Sequence, residues 1–126
     1  MKTVRVFCYG TLKKDFPAHE LMEEAGARFL RNAVTDCAYQ LYDQGSFPGM
    51  VEEDGPTGVH GELYEVPEEG LRLLDGYECV GQGLFRRAEI ELADGTKALA
   101  YLYARDYCAA LRLESGVWDE RGSTLR

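Results

Sequence analysis

Apolar residues alternate with a period of two along most of the chain, the signature of strands that bury one face. Thr3 to Tyr9 reads TVRVFCY, with Val4, Val6 and Cys8 on one face and Arg5, Phe7 and Tyr9 on the other. Both faces are nearly apolar, which predicts a central strand ending at Gly10. Pro17 then opens a short helix with Leu21, Met22 and Ala25 inward, Glu20, Glu23 and Glu24 outward, and Gly26 as its C-terminal cap. From Arg28 to Tyr42 the pattern is extended, and Ala38–Tyr42 alternates as a half-buried strand. Residues 43–58 (DQGSFPGMVEEDGPTG) have the composition of a loop.

Val59–Val66 is a further strand, and Pro67-Glu68-Glu69 starts a second helix with two carboxylates at its positive end. That helix carries Leu71, Leu73, Leu74 and Tyr77 and ends between Cys79 and Gly83. Phe85–Leu92 and Lys97–Ala104 are two strands joined at an Asp94-Gly95 hairpin turn. Strands outnumber helices, and the helices are too short to cover a parallel sheet. The pattern predicts an α+β chain: a small, mostly closed sheet with a few short helices outside or at its end.

With 126 residues the chain has room for one core, so a single domain over residues 1–121 is expected, with 122–126 a flexible polar tail. Fourteen Lys and Arg against 22 Asp and Glu give a net charge of -8, which repels phosphate backbones and anionic lipid. No apolar run reaches the ~20 residues of a membrane span, and Met1-Lys2-Thr3 leads straight into a strand. A cytoplasmic domain with neither signal peptide nor anchor, acting on a small molecule, is the expectation. Oligomeric state is not legible at this level. Cys8, Cys37, Cys79 and Cys108 are scattered without a C-x-x-C pair, and only His19 and His60 could join them as ligands. They are read as reduced thiols, with Cys8 a buried apolar residue, and no metal or cofactor is expected.

Two places can carry chemistry. Tyr9-Gly10-Thr11-Leu12 leaves a buried strand through a glycine, so successive N–H groups lose their strand partners. Such groups can hold a carboxylate or a developing oxyanion; the alternative is an ordinary strand-exit turn. A phosphate loop is excluded, because the spacing G-x-x-x-x-G-K-[ST] is absent. In the second helix Leu71, Leu74 and Glu78 fall at i, i+3 and i+7, which places a carboxylate in the apolar stripe. Burial and the negative helix end would both raise its pKa towards that of a neutral-pH proton carrier. The alternative is a helix that frays before Glu78 and releases it to solvent.

Other candidates are weaker. Glu52-Glu53-Asp54 reads as loop charge, and His19 and His60 read as structural. Cys79 as a nucleophile has only its adjacency to Glu78 in its favour. Tyr39, Tyr42, Tyr64, Tyr101 and Tyr103 are strand aromatics, mostly core or barrel wall, with one or two free to line a pocket through their hydroxyls.

Taken in order, V-F-C-Y-G-T-L-K-K (6–14), F-P-G (47–49), V-H-G-E-L-Y-E-V (59–66), L-L-D-G-Y-E (73–78), F-R-R-A-E-I-E-L (85–92), A-Y-L-Y (100–103) and S-G-V-W (115–118) resemble the γ-glutamyl cyclotransferase superfamily. The start Y-G-T-L-K-K, followed by Pro17 and His19, is most similar to the γ-glutamylamine cyclotransferase, AIG2-like branch rather than the branch acting on glutathione. The resemblance implies a small mixed, mostly antiparallel β-barrel. It also implies a cofactor-independent enzyme that turns a γ-glutamyl amine or amide into 5-oxoproline plus a free amine.

Glu78 would then be the catalytic acid and base, Tyr9, Gly10, Thr11 and Leu12 would bind substrate, and Tyr103 would face the pocket. Two positions depart from the pattern: Cys79 stands where relatives often have glycine, and Phe85 where they often have tyrosine. The rival from another class is a non-catalytic module on the same fold that binds small acids.

Overall fold

Strand β1 (Thr3–Cys8) runs through the middle of the sheet, as its two apolar faces require. The protein is described here by a computed structural model that covers residues 2–118. β1 pairs antiparallel with β5 (His60–Pro67), from Thr3 opposite Pro67 to Cys8 opposite Glu62. On its other side it touches β7 (Lys97–Tyr103) in parallel, through Val6 and Leu99. β2 (Arg28–Val34) pairs antiparallel with the far edge of β5, with a register shift between Phe29 and Arg31. Beyond β7 lie β4 (Pro48–Glu52), parallel through Met50 and Leu102, and then β3 (Tyr39–Asp43), antiparallel to β4. β6 (Phe85–Glu91) forms the expected hairpin with β7 along its whole length, so the seven-stranded sheet branches there.

Two sequence expectations need correction. The sheet does not close into a barrel. Its order is β2-β5-β1-β7-β4-β3 with β6 off that path, and β2 and β6 come together beyond their ends only at one bridge, Thr35 with Leu92. One bridge is too little for a ladder. The stretch 43–58 is not all loop either, because β4 lies within it. Pro48 sits at the strand's first residue, where its missing N–H costs nothing, and Gly49 is needed because a Cβ there would fall 2.8 Å from Tyr103. The tail expected over residues 122–126 lies outside the described residues.

The alternation along β1 divides the interior. Phe7 and Tyr9 pack with Leu41, Met50, Leu63, Leu102 and the buried Trp118. Val6 and Cys8 pack with Met22, Ala25, Leu71 and Leu74, which are the inward stripes of α1 (Glu20–Glu24) and α2 (Leu71–Tyr77). Both helices are preceded by a 3-10 turn, Pro17–His19 before α1 and Glu68–Gly70 before α2. Gly26 closes α1 with φ +82°, as its place after the apolar stripe predicts. All four cysteines are free thiols, with Cys8 buried. No described helix is long and apolar enough to cross a membrane.

Candidate active site

A cavity of about 190 Å³ opens where β1 ends, walled by the Gly10–Leu12 loop, Pro48, the end of α2 and strands β6 and β7. Gly10 is fixed by close approach rather than by a positive φ, because a Cβ there would lie 2.7 Å from Pro48 Cγ. The loop is tied at both ends. Lys13 N–H donates to the Gly10 carbonyl (3.0 Å), and His19 Nδ1 donates to the Leu12 carbonyl (2.9 Å). The amides of Gly10, Thr11 and Leu12, by contrast, meet no acceptor among the described residues. Three successive unpaired N–H groups on a cavity wall can receive an anionic or partly anionic oxygen.

Glu78 faces this loop from the other wall. Helix α2 ends one residue before it, and its N–H still donates to the Leu74 carbonyl (2.9 Å), so fraying does not carry it to solvent. The carboxylate is half-buried in the cavity, with no hydrogen-bond partner among the described residues, and desolvation lifts its pKa from 4.5 to about 7. The helix end expected to add to this shift is not among its causes. The Cys8 thiol and the Tyr9 phenol are pushed up first by burial and then by the charge of Glu78, which places both within the carboxylate's field. Both are neutral where Glu78 titrates, so they exert no reciprocal charge on it.

α2 is held in place upstream of Glu78. Arg87 of β6 donates twice to Asp75, at 2.9 and 2.8 Å, and the Tyr101 hydroxyl of β7 donates to the same carboxylate at 2.7 Å. Asp75 is three residues before Glu78, on the same side of the helix. Across the cavity mouth the hydroxyls of Thr11 and Tyr77 share a hydrogen bond of 2.7 Å, joining the loop to the last residue of α2.

The structure brings Tyr9, Gly10, Thr11, Leu12 and Glu78 to one cavity. Tyr9 enters it with its hydroxyl already engaged, donating to the Tyr101 carbonyl and accepting from the Met50 N–H. Tyr103 does not line the cavity among the described residues; it packs behind it on Phe47 and Phe85, with ring centroids 6.2 and 5.5 Å away. Tyr101, two residues back on the same strand face, lines the wall instead. The sequence reading had Tyr101 only as one of five strand tyrosines of which one or two would line a pocket, and it missed Phe47, Pro48, Tyr77 and Leu84. F-P-G at 47–49 was a motif without a role, and nothing local to Leu84 marks it. Cys79 turns away in a left-handed conformation (φ 53°), its thiol facing the Tyr77 carbonyl. No group of three or more His, Cys, Asp or Glu among the described residues is arranged to hold a metal.

The family described as "Gamma-glutamyl cyclotransferase, AIG2-like" matches residues 6–120, and the chain belongs to it. A Vibrio cholerae relative, provisionally named a γ-glutamylcyclotransferase, is 38% identical over 116 residues, covering 92% of this chain and 96% of its own. The γ-glutamylcyclotransferase family protein YtfP of Escherichia coli K12 is 34% identical over 119 residues, covering 94% and 98%. The crystal structure of a Mus musculus AIG2-like protein superposes with a TM-score of 0.74 at 25% identity, over 94% of this chain and 90% of that one.

Proposed function

We propose that the protein converts a γ-glutamyl amine or amide into 5-oxoproline and the free amine, with Glu78 as the proton carrier and the Gly10–Leu12 amides as the oxygen receptor. The observation that carries this reading is the half-buried carboxylate, its pKa lifted to about 7, facing three unpaired amides across one small cavity. The substrate's own α-amine attacks its γ-carbonyl and closes a five-membered lactam. Holding the flexible glutamyl chain bent removes much of the entropic cost of that closure. The α-ammonium sheds two protons in becoming the lactam N–H, and the departing nitrogen gains two in leaving as an alkylammonium. One carboxylate that titrates near neutrality can take and return them, so the cycle needs no net proton. The amides stabilise charge on the carbonyl oxygen as the tetrahedral intermediate forms.

Replacing Glu78 with Gln keeps the side-chain shape and removes the proton carrier. Release of 5-oxoproline from a working γ-glutamyl amide should fall by about 10²- to 10⁴-fold, with product binding retained. Turnover by purified E78Q within a few-fold of the native protein would dismiss the assignment. Binding of 5-oxoproline without turnover of any γ-glutamyl compound by the native protein would favour the non-catalytic module.

A further inference from the structure

Helix α2 is clamped upstream of Glu78 and loose at the end that carries it. Asp75, which accepts from Arg87 and Tyr101, is followed by Gly76, the residue type least able to hold a helical backbone by itself. Nothing lies within 4 Å of where a Cβ on Gly76 would stand, and its φ is not positive, so neither packing nor conformation calls for glycine there. Past Glu78 the chain leaves the helix through the left-handed Cys79. Tyr77 and Glu78 thus sit between a flexible joint and a sharp turn, beyond the part of α2 that Asp75 holds.

The loop opposite is the firmer wall. Its carbonyls at Gly10 and Leu12 are both bonded, and Gly10 is pressed against Pro48. The Thr11 and Tyr77 hydroxyls, 2.7 Å apart, tie this wall to the loose one. They join the middle residue of the three unpaired amides to the residue just before Glu78. The bond is exposed, and water can replace either partner, so its net contribution to stability is small. Its contribution to geometry is not, because a displacement of about 1 Å between reacting groups can cost about 10²-fold in rate.

Resting on the cyclotransferase reading, we infer that Thr11 and Tyr77 are a pair of positioning residues. Their hydrogen bond sets the separation of the Glu78 carboxylate from the Gly10–Leu12 amides and offsets the slack at Gly76.

The test follows 5-oxoproline release by the full chain from the γ-glutamyl amides of methylamine, isoamylamine and phenethylamine. Tyr77→Phe and Thr11→Val should each lower kcat about tenfold with KM within about threefold, the acid limb unmoved and Tm within about 3 °C of native. The double variant should fall no further than the lower single one, because both changes remove the same bond. Gly76→Ala places its Cβ in open space and stiffens the joint, so adding it to Tyr77→Phe should recover kcat at least about threefold. If Thr11→Val does not fold, Tyr77→Phe with and without Gly76→Ala carries the test. Three results overturn the inference and leave the cyclotransferase reading standing: Tyr77→Phe within about twofold of native kcat, losses that multiply in the double variant, or no recovery with Gly76→Ala. Release from none of the three amides by the native chain overturns both.

Discussion

At Glu78 the free energy depends on pH with a defined sign. Below about pH 4.5 the carboxyl is protonated in the folded and unfolded chains alike, and burial costs nothing. Between 4.5 and about 7 the unfolded chain ionises first and gains, so stability falls; above about 7 the full penalty is present. A shift of this size corresponds to at most about 3 kcal/mol, and partial exposure reduces it to roughly 1–3 kcal/mol. Glu78→Gln should therefore match the native protein in urea unfolding at pH 4 and exceed it by that amount at pH 8. A gap that did not change with pH would mean that the carboxylate is not desolvated. With Glu78 as the proposed proton carrier, the acid limb of kcat/KM is expected near pH 7. Its titratable neighbours Cys8, Tyr9 and Tyr101 on the wall are all pushed up by burial and uncharged at that pH. Cys79, next along, holds a left-handed conformation that costs a residue with a Cβ about 1–2 kcal/mol. Cys79→Gly should raise stability by roughly 0.5–1 kcal/mol after glycine's greater unfolded-state freedom is counted, measurable as a higher urea midpoint at unchanged m.

Among the elements, α2 positions the proposed proton carrier, and seven residues are too few to hold it by helix propensity. Leu71 and Leu74 bury its apolar side, and Asp75 clamps it to β6 and β7 through Arg87 and Tyr101. Asp75→Asn keeps an acceptor for the Tyr101 hydroxyl but loses the charge pair. The expected cost is about 1–2 kcal/mol of stability, with kcat lowered about 10- to 100-fold at nearly unchanged KM and the acid limb still present. An unchanged kcat would make the clamp structural only.

These elements also show where sequence reading succeeds. β1, α2 and the β6–β7 hairpin were legible because each is a local pattern: alternation, an i, i+3, i+7 stripe, and an Asp-Gly turn. The inward Glu78 followed from the same stripe. β4 was not legible, since its Pro-Gly start mimics a turn and its strand character comes from β3 and β7 on either side. The choice between Tyr101 and Tyr103 was also out of reach. The two share a face of β7, and only the position of α2 on one side and Phe47 on the other distinguishes them. Closure of the sheet depends on pairing between strands remote in sequence, which no local pattern encodes.

For the molecule as a whole, the cavity matters because it lies where the two halves of the interior meet. Phe7 and Tyr9 reach it from one core, and Cys8, Leu12, Phe85 and Tyr101 from the other. A ligand seated there contacts residues on both sides of β1 and exists as a bound species only when both are folded. 5-Oxoproline at about 100 times its Kd should add about 2.7 kcal/mol, which for a chain of this length is a rise in Tm of roughly 10 °C. Because the ligand bridges both cores, the calorimetric transition should move as one peak; a ligand gripping only the α2 side would split or broaden it. Two variants separate the walls of the site. Glu78→Gln leaves the amides intact and should keep most of the shift. Gly10→Ala drives a Cβ to 2.7 Å from Pro48 Cγ, forces the loop from β4, and should abolish the shift as well as lowering Tm. A Gly10→Ala protein that still gained the full shift would place the receptor for the ligand's carboxylate somewhere other than the loop after β1.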